Sequence, residues 1–82
     1  MKSFGSKKLC KCLRCLGFSP EPQIGTSHIK YKIPPNKKAP SGLRPFIIVQ
    51  LERKSYHPHA RSRYIAQIKR LGFTKEEILT HL

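Results

Sequence analysis

One imidazole and two ammonium groups alternate with apolar residues in Gly25-Thr26-Ser27-His28-Ile29-Lys30-Tyr31-Lys32-Ile33. The alternation predicts a β-strand with two faces. Ile29, Tyr31 and Ile33 turn to a core, while Thr26, His28, Lys30 and Lys32 share the other side. Alternate residues on a strand stand roughly 6.6 Å apart, from about 3.3 Å of rise per residue. That spacing is near the spacing of phosphates along an extended nucleic-acid strand. The face is therefore suited to hold a polyanion beside a group that can take up a proton near neutral pH. Read alone, His28 is more simply a histidine that hydrogen-bonds a neighbour or touches a bound polyanion, since most histidines catalyse nothing.

Two other groupings could do chemistry. Cys10, Cys12 and Cys15 form a C-x-C-x-x-C pattern. On a helix, at about 100° per residue, Cys10 and Cys12 point in nearly opposite directions. A tetrahedral site would also need a fourth ligand, such as His28. The expectation is small, partly buried thiols and no metal. His57-Pro58-His59 offers an H-x-H pair. Without a third ligand nearby in sequence, it reads as a loop leading into a helix.

The charge balance narrows the partners. Seventeen Lys and Arg face four acidic residues, all Glu, for a net +13 over 82 residues. A sign this one-sided attracts polyanions. Nucleic acid comes first, then an acidic protein surface or an anionic membrane. No run approaches the roughly 18 apolar residues of a membrane span. The basic N-terminus lacks the apolar region of a signal peptide. Three clustered cysteines make no disulfide framework, so a reducing cytoplasm fits best.

The elements that position these groups follow from periodicity. Leu9, Leu13 and Leu16 predict a helix over Ser6–Leu16, capped by Ser6 and ended by Gly17. Lys7, Lys8, Lys11 and Arg14 cover its outer face. Pro20 and Pro22 allow only a short edge strand between Phe18 and Ile24. After the His28 strand, residues 34–42 read as a mobile, turn-rich connection whose Lys37 and Lys38 could gather a phosphate chain. Phe46–Leu51 is the strongest strand signal, with Ile47, Val49 and Leu51 inward and Phe46 and Ile48 on the other face. Pro58 begins a helix with the stripe Ala60, Tyr64, Ile65, Ile68 and Leu71. Leu71-Gly72-Phe73 repeats Leu16-Gly17-Phe18 as a helix stop. Thr74 and Glu77 form a capping box, with Phe73 and Ile78 as its staple, for a short helix over Lys75–His81. His81 is then a favourable charge at a helix C-terminus. The prediction is an α+β fold: a three-stranded antiparallel sheet, two helices on one face in the order α-β-β-β-α, and a short C-terminal helix.

That order resembles the HicA family of toxin ribonucleases. The matching residues are Leu16-Gly17-Phe18, Gly25-Thr26-Ser27-His28, the alternation Ile29-Lys30-Tyr31-Lys32, and His57-Pro58-His59 before the last long helix. The resemblance spans about residues 6–73 of a single domain over 1–82, with 74–82 as an extension. The long connection over 34–45, the proline-broken first strand and the capped tail depart from the family pattern. The resemblance implies a fold like that of double-stranded-RNA-binding domains. It also implies a cytoplasmic endoribonuclease of a toxin–antitoxin pair, acting on mRNA, silenced by a HicB-like antitoxin, and using neither metal nor cofactor. His28 matches the family's essential histidine.

RNA can be cut by its own 2′-hydroxyl once a base takes the proton and cations hold the phosphate. In this scheme His28 is the base, and Lys30 and Lys32 hold phosphate. Thr26, Arg53 and Lys54 are further RNA contacts. His57, His59 and Ser27 are candidate supporting groups, and His57, His59 and Lys30 are the candidates for the acid. Ser27 alternates to the core side and reads as a strand-start hydroxyl bonded to backbone. A non-catalytic RNA- or DNA-binding module would carry the same charge and sheet, as would a regulatory protein that binds an acidic partner.

Overall fold

The computed structural model describes residues 3–21 and 27–82. The elements run α1 (Ser6–Cys15), β1 (Ser19–Glu21), β2 (His28–Lys32), β3 (Phe46–Gln50), α2 (Pro58–Arg70) and α3 (Lys75–Thr80). The three strands make one open antiparallel sheet in the order β1-β2-β3. The expected α+β architecture with a short C-terminal helix is thus the one found. The first residues of the expected central strand, Gly25 and Thr26, lie outside the described residues.

One face of the sheet is the core. Tyr31, Ile47 and Val49 are buried there with Leu9 and Leu13 of α1, and with Tyr64, Ile65 and Ile68 of α2. These are the predicted apolar stripes, and burying them against one another is what drives the two layers together. Leu51 lies just past β3 and is half-buried rather than a strand residue. Residues absent from every predicted stripe also enter the core, among them two aromatic rings. Phe4 and Tyr56 meet edge to face at 5.8 Å, and Tyr56 packs on Tyr64 at 4.9 Å.

The start of α1 corrects one expectation. Gly5 is the N-cap, and no side chain caps the helix. Ser6 is instead a buried first helical residue. Its hydroxyl donates to the Arg53 carbonyl and accepts from the Arg53 amide, while its own amide donates to the same carbonyl at 2.9 Å. The helix is therefore tied to the link after β3, and Gly5 is pressed against that link. A Cβ at Gly5 would run into the carbonyls of Lys54 and Arg53.

The end of α1 is as predicted. Gly17 takes φ 97°, and the Phe18 amide reaches back to the Leu13 carbonyl at 2.9 Å, which satisfies an orphan helix carbonyl. Gly72 repeats the conformation at φ 105° after α2. The phenylalanines that follow the two glycines meet, with Phe18 and Phe73 rings 5.4 Å apart. The repeated stop device therefore also joins the two helix ends. In α3 the full capping box of Thr74 and Glu77 is present, and His81 is the C-cap.

The connection after β2 is anchored rather than loose. Lys37 donates to the Gly72 carbonyl at 3.1 Å and sits 4.8 Å from the Phe73 ring centre. Pro34 is buried. Lys37 is thus spent on the end of α2, where a cation meets carbonyls left unpaired by the helix.

The thiols separate by environment. Cys10 and Cys12 are buried, and Cys15 is exposed. The Cys12 thiol donates to the Ile78 carbonyl, linking α1 to α3. Burial, and then the neighbouring Cys15, push the Cys12 thiol up to about 11. Burial likewise pushes the Tyr31 phenol up to about 12. Among the described residues, no three His, Cys, Asp or Glu are grouped to hold a metal ion.

Two outcomes follow from this packing. Gly5→Ala should destabilise the protein by about 1–3 kcal/mol in urea unfolding, because the neighbouring backbone must move. Iodoacetamide at pH 8 should modify Cys15 in the folded protein and spare Cys12, whose thiolate forms only as pH approaches its raised pKa. Both should react in urea.

Candidate nucleic-acid interface

The pairing of β2 with β3 sets the site. His28 stands opposite Gln50, Lys30 opposite Ile48, and Lys32 opposite Phe46. The Leu51 amide donates to the Ser27 carbonyl, and the Ile33 amide to the Pro45 carbonyl. These bonds place the odd-numbered pairs in the hydrogen-bonded positions. His28, Lys30 and Lys32 therefore occupy the non-hydrogen-bonded positions, where facing side chains come closest. Their side chains lie opposite the core face, as the alternation predicted.

His28 and Lys32 are exposed, and Lys30 is half-buried. Lys30 leans diagonally across the sheet, its Nζ 4.5 Å from the Phe46 ring centre. That contact holds the ammonium on the sheet surface by its attraction to the ring face. Lys32 leans the other way and pairs with Glu21 on β1 at 2.6 Å. The hydrogen bond from Lys32, then the charges of Lys32 and Lys30, hold the Glu21 carboxyl below its usual range. The pair is solvent-exposed, and such pairs contribute only about 0–1 kcal/mol. A phosphate can compete for Lys32, but Glu21 is a built-in rival that sequence spacing did not reveal.

The remaining predicted residues divide. Arg53 reaches the end of the face. With the Gln50 amide turned to satisfy both groups, its oxygen accepts from Arg53 Nη2 at 2.8 Å and Nε at 3.2 Å. Gln50 is thus a bridge from Arg53 to the strand position opposite His28. Lys54 lines a hollow with Gly5, Lys7 and Lys8 at the start of α1; Arg53 borders the same hollow, and His28 is not among the residues lining it. Ser27 is exposed, not turned to the core, because its chain precedes the regular strand. Its carbonyl, rather than its hydroxyl, joins the ladder. Thr26 lies outside the described residues.

His57 and His59 are exposed and stacked on each other, 5.3 Å between ring centres and 14° between planes. His57 Nδ1 accepts from the His59 amide and so caps α2. That nitrogen is committed to the helix end. Neither ring lines the groove that contains His28.

That groove contains residues the sequence did not single out. It has a volume of about 580 Å³ and runs between the outer side of β3 and α2. His28, Phe46 and Ile48 line it from the sheet, Arg44 from the preceding connection, and Arg63 and Arg70 from α2. Among the described residues, no acidic side chain lines it. The available signal was the helical spacing of Arg63, Gln67 and Arg70, a polar stripe beside the apolar one.

The arrangement can do two things: accept or donate a proton at His28, and hold anionic oxygens at Lys30 and, against Glu21, at Lys32. Glu21→Gln should release Lys32 and remove a repelling charge. We expect RNA affinity to rise about two- to five-fold in a fluorescence anisotropy titration, in keeping with the strength of an exposed pair. Among the described residues, no helix is long and apolar enough to cross a membrane. No family model matches the chain, and neither does any curated protein or solved structure.

Proposed function

We propose that this protein is a metal-independent, toxin-type endoribonuclease that cuts mRNA in the cytoplasm. The observation that carries this reading is the shared exposed sheet face of His28 and Lys30, in the closest cross-strand positions, within a strongly basic chain. The resemblance of Gly25-Thr26-Ser27-His28 and its flanking motifs to the HicA family points the same way.

In the proposed step, His28 takes the proton of the 2′-hydroxyl as that oxygen attacks the adjacent phosphorus. The bond from phosphorus to the 5′-oxygen breaks, and the leaving oxygen gains a proton from water. The products are a 2′,3′-cyclic phosphate and a 5′-hydroxyl end. Lys30 and Lys32 hold the non-bridging oxygens as negative charge gathers on them. Arg53, through Gln50, orders the strand end next to the base.

A HicB-like antitoxin covers the face when the enzyme is silent. Ile48 is 36% exposed and Leu43 38% exposed, next to Phe46 and a rim of cations. An apolar patch with a basic rim suits a partner with the opposite sign at its edge.

The test compares wild-type protein with His28→Ala on single-stranded RNA, with and without chelator. Wild type should give cyclic-phosphate ends in both conditions. His28→Ala should lose about 10²–10⁴-fold in rate, the usual worth of a general base, and keep its fold and RNA affinity. Full-rate cleavage by His28→Ala, or loss of wild-type cleavage with chelator, would overturn the assignment. Salt-dependent binding without any product would leave a non-catalytic RNA-binding module.

A further inference from the structure

We propose that the groove between β3 and α2 is the track for the single-stranded RNA that flanks the phosphate at His28. Arg44, Arg63 and Arg70 are its phosphate contacts, and Phe46 with Ile48 forms its apolar floor. The inference rests on the reading of the His28 face as an RNA site. It adds a binding element that starts on that face at Phe46 and Ile48 and continues past the edge strand to the arginines of α2.

His28 itself lines the groove, so a strand leaving the histidine can enter it directly. The three arginines are exposed. Arg63 and Arg70 sit seven residues apart on one helix, displaced by about 10 Å along its axis. Their guanidinium groups therefore meet different phosphates rather than sharing one. Each presents donors in a fixed fork that matches two phosphate oxygens. Both stand on a 13-residue helix, so their spacing is held by regular structure. Arg63 is further steadied by the Tyr64 ring, 5.9 Å from its guanidinium carbon. Apolar floor beside cationic wall is the pairing that single-stranded nucleic acid needs for its bases and its backbone.

A protein strand added to β3 is the competing occupant, and the edge argues against it. The pairing register turns the backbone groups of Phe46, Ile48 and Gln50 away from β2. At Gln50 both are already taken: its amide donates to the Tyr64 hydroxyl, and its carbonyl accepts from the Tyr56 hydroxyl. Among the described residues of β3, that leaves Phe46 and Ile48 for a ladder, shorter than the usual strand of about 5–6 residues. The same two tyrosines leave side-chain contacts to RNA untouched.

The test measures binding of a labelled single-stranded RNA oligonucleotide across a salt series. His28→Ala serves as the background, so that the RNA stays intact whether or not the protein cuts it. One variant adds Arg44→Gln, Arg63→Gln and Arg70→Gln. A control adds Lys7→Gln, Lys8→Gln and Lys11→Gln on the outer face of α1, removing equal charge. Circular dichroism checks the fold of each. The arginine variant should bind at least about tenfold more weakly near 0.1 M salt. Its slope of log affinity against log salt should fall by about 2, from about 0.7 per phosphate contact on a single strand. Arg63→Gln and Arg70→Gln alone should each lower the slope by about 0.7. The lysine control should leave the slope nearly unchanged.

Equal losses in the two triple variants, or an unchanged slope in the arginine variant, would overturn the track. If wild type cuts RNA through His28 and the arginine triple alone cuts and binds like wild type, the groove proposal fails and the nuclease reading stands. The groove would then be free for a protein partner. If wild type cuts nothing but the arginine variant loses slope and affinity, the track stands and the nuclease reading fails.

Discussion

The register between β2 and β3 governs what this molecule can do. Side chains alternate along a strand, so a slip by one residue would carry His28 and both lysines into the core and expose Tyr31. Several independent contacts prevent it. Tyr31, Ile47 and Val49 are locked beneath the two helices. The Ser27–Leu51 and Ile33–Pro45 bonds close the two ends of the ladder. The Tyr56 and Tyr64 hydroxyls grip the backbone of Gln50, the residue opposite His28. Burial pushes the Tyr56 phenol upward, so it remains a neutral donor at ordinary pH. The same tyrosines that fix the register thus also fill the backbone groups of the edge beside the imidazole.

Charge sets the second constraint. Seventeen cations on a small chain repel one another, and the four glutamates are too few to offset them. Two of those glutamates have structural tasks. Glu21 restrains Lys32 across the sheet, and Glu77 closes the α3 capping box, whose backbone and side-chain bonds with Thr74 hold the Glu77 carboxyl low. Several cations are likewise given intramolecular work, such as Lys37 at the end of α2 and Lys30 over Phe46. The arginines left exposed around the β3 groove, Arg44, Arg63 and Arg70, share that groove with His28 and lie where a polyanion held at Lys30 would meet them.

Local signals were legible where physics is local. Apolar spacing gave the helices, and the glycines gave their ends. The alternation around His28 gave its face, and Thr74 with Glu77 gave the cap of α3. What escaped the sequence were contacts between distant segments. Ser6 carries the right hydroxyl for a cap, yet the approach of the Arg53 backbone uses it as a staple. Phe4 and Tyr56 lie outside any periodic stripe and become core because the segment before α1 is bonded to the link after β3, the Tyr56 amide donating to the Phe4 carbonyl. Lys32 and Glu21 are partners because β1 pairs with β2, which the prolines of β1 barely announce. Arg63 and Arg70 of α2 fall off the apolar stripe, and only the placement of β3 beside that helix brings them to the groove with His28.

The most direct test of this account is a chemical-shift map of the protein with a single-stranded RNA made non-cleavable by 2′-O-methyl groups. The account predicts the largest amide and side-chain shifts at His28, Lys30, Phe46 and Ile48, with shifts extending to Arg63 and Arg70. Lys7, Lys8 and Lys11 should move little. Shifts concentrated on the outer face of α1, with the His28 resonances unchanged at saturation, would contradict it.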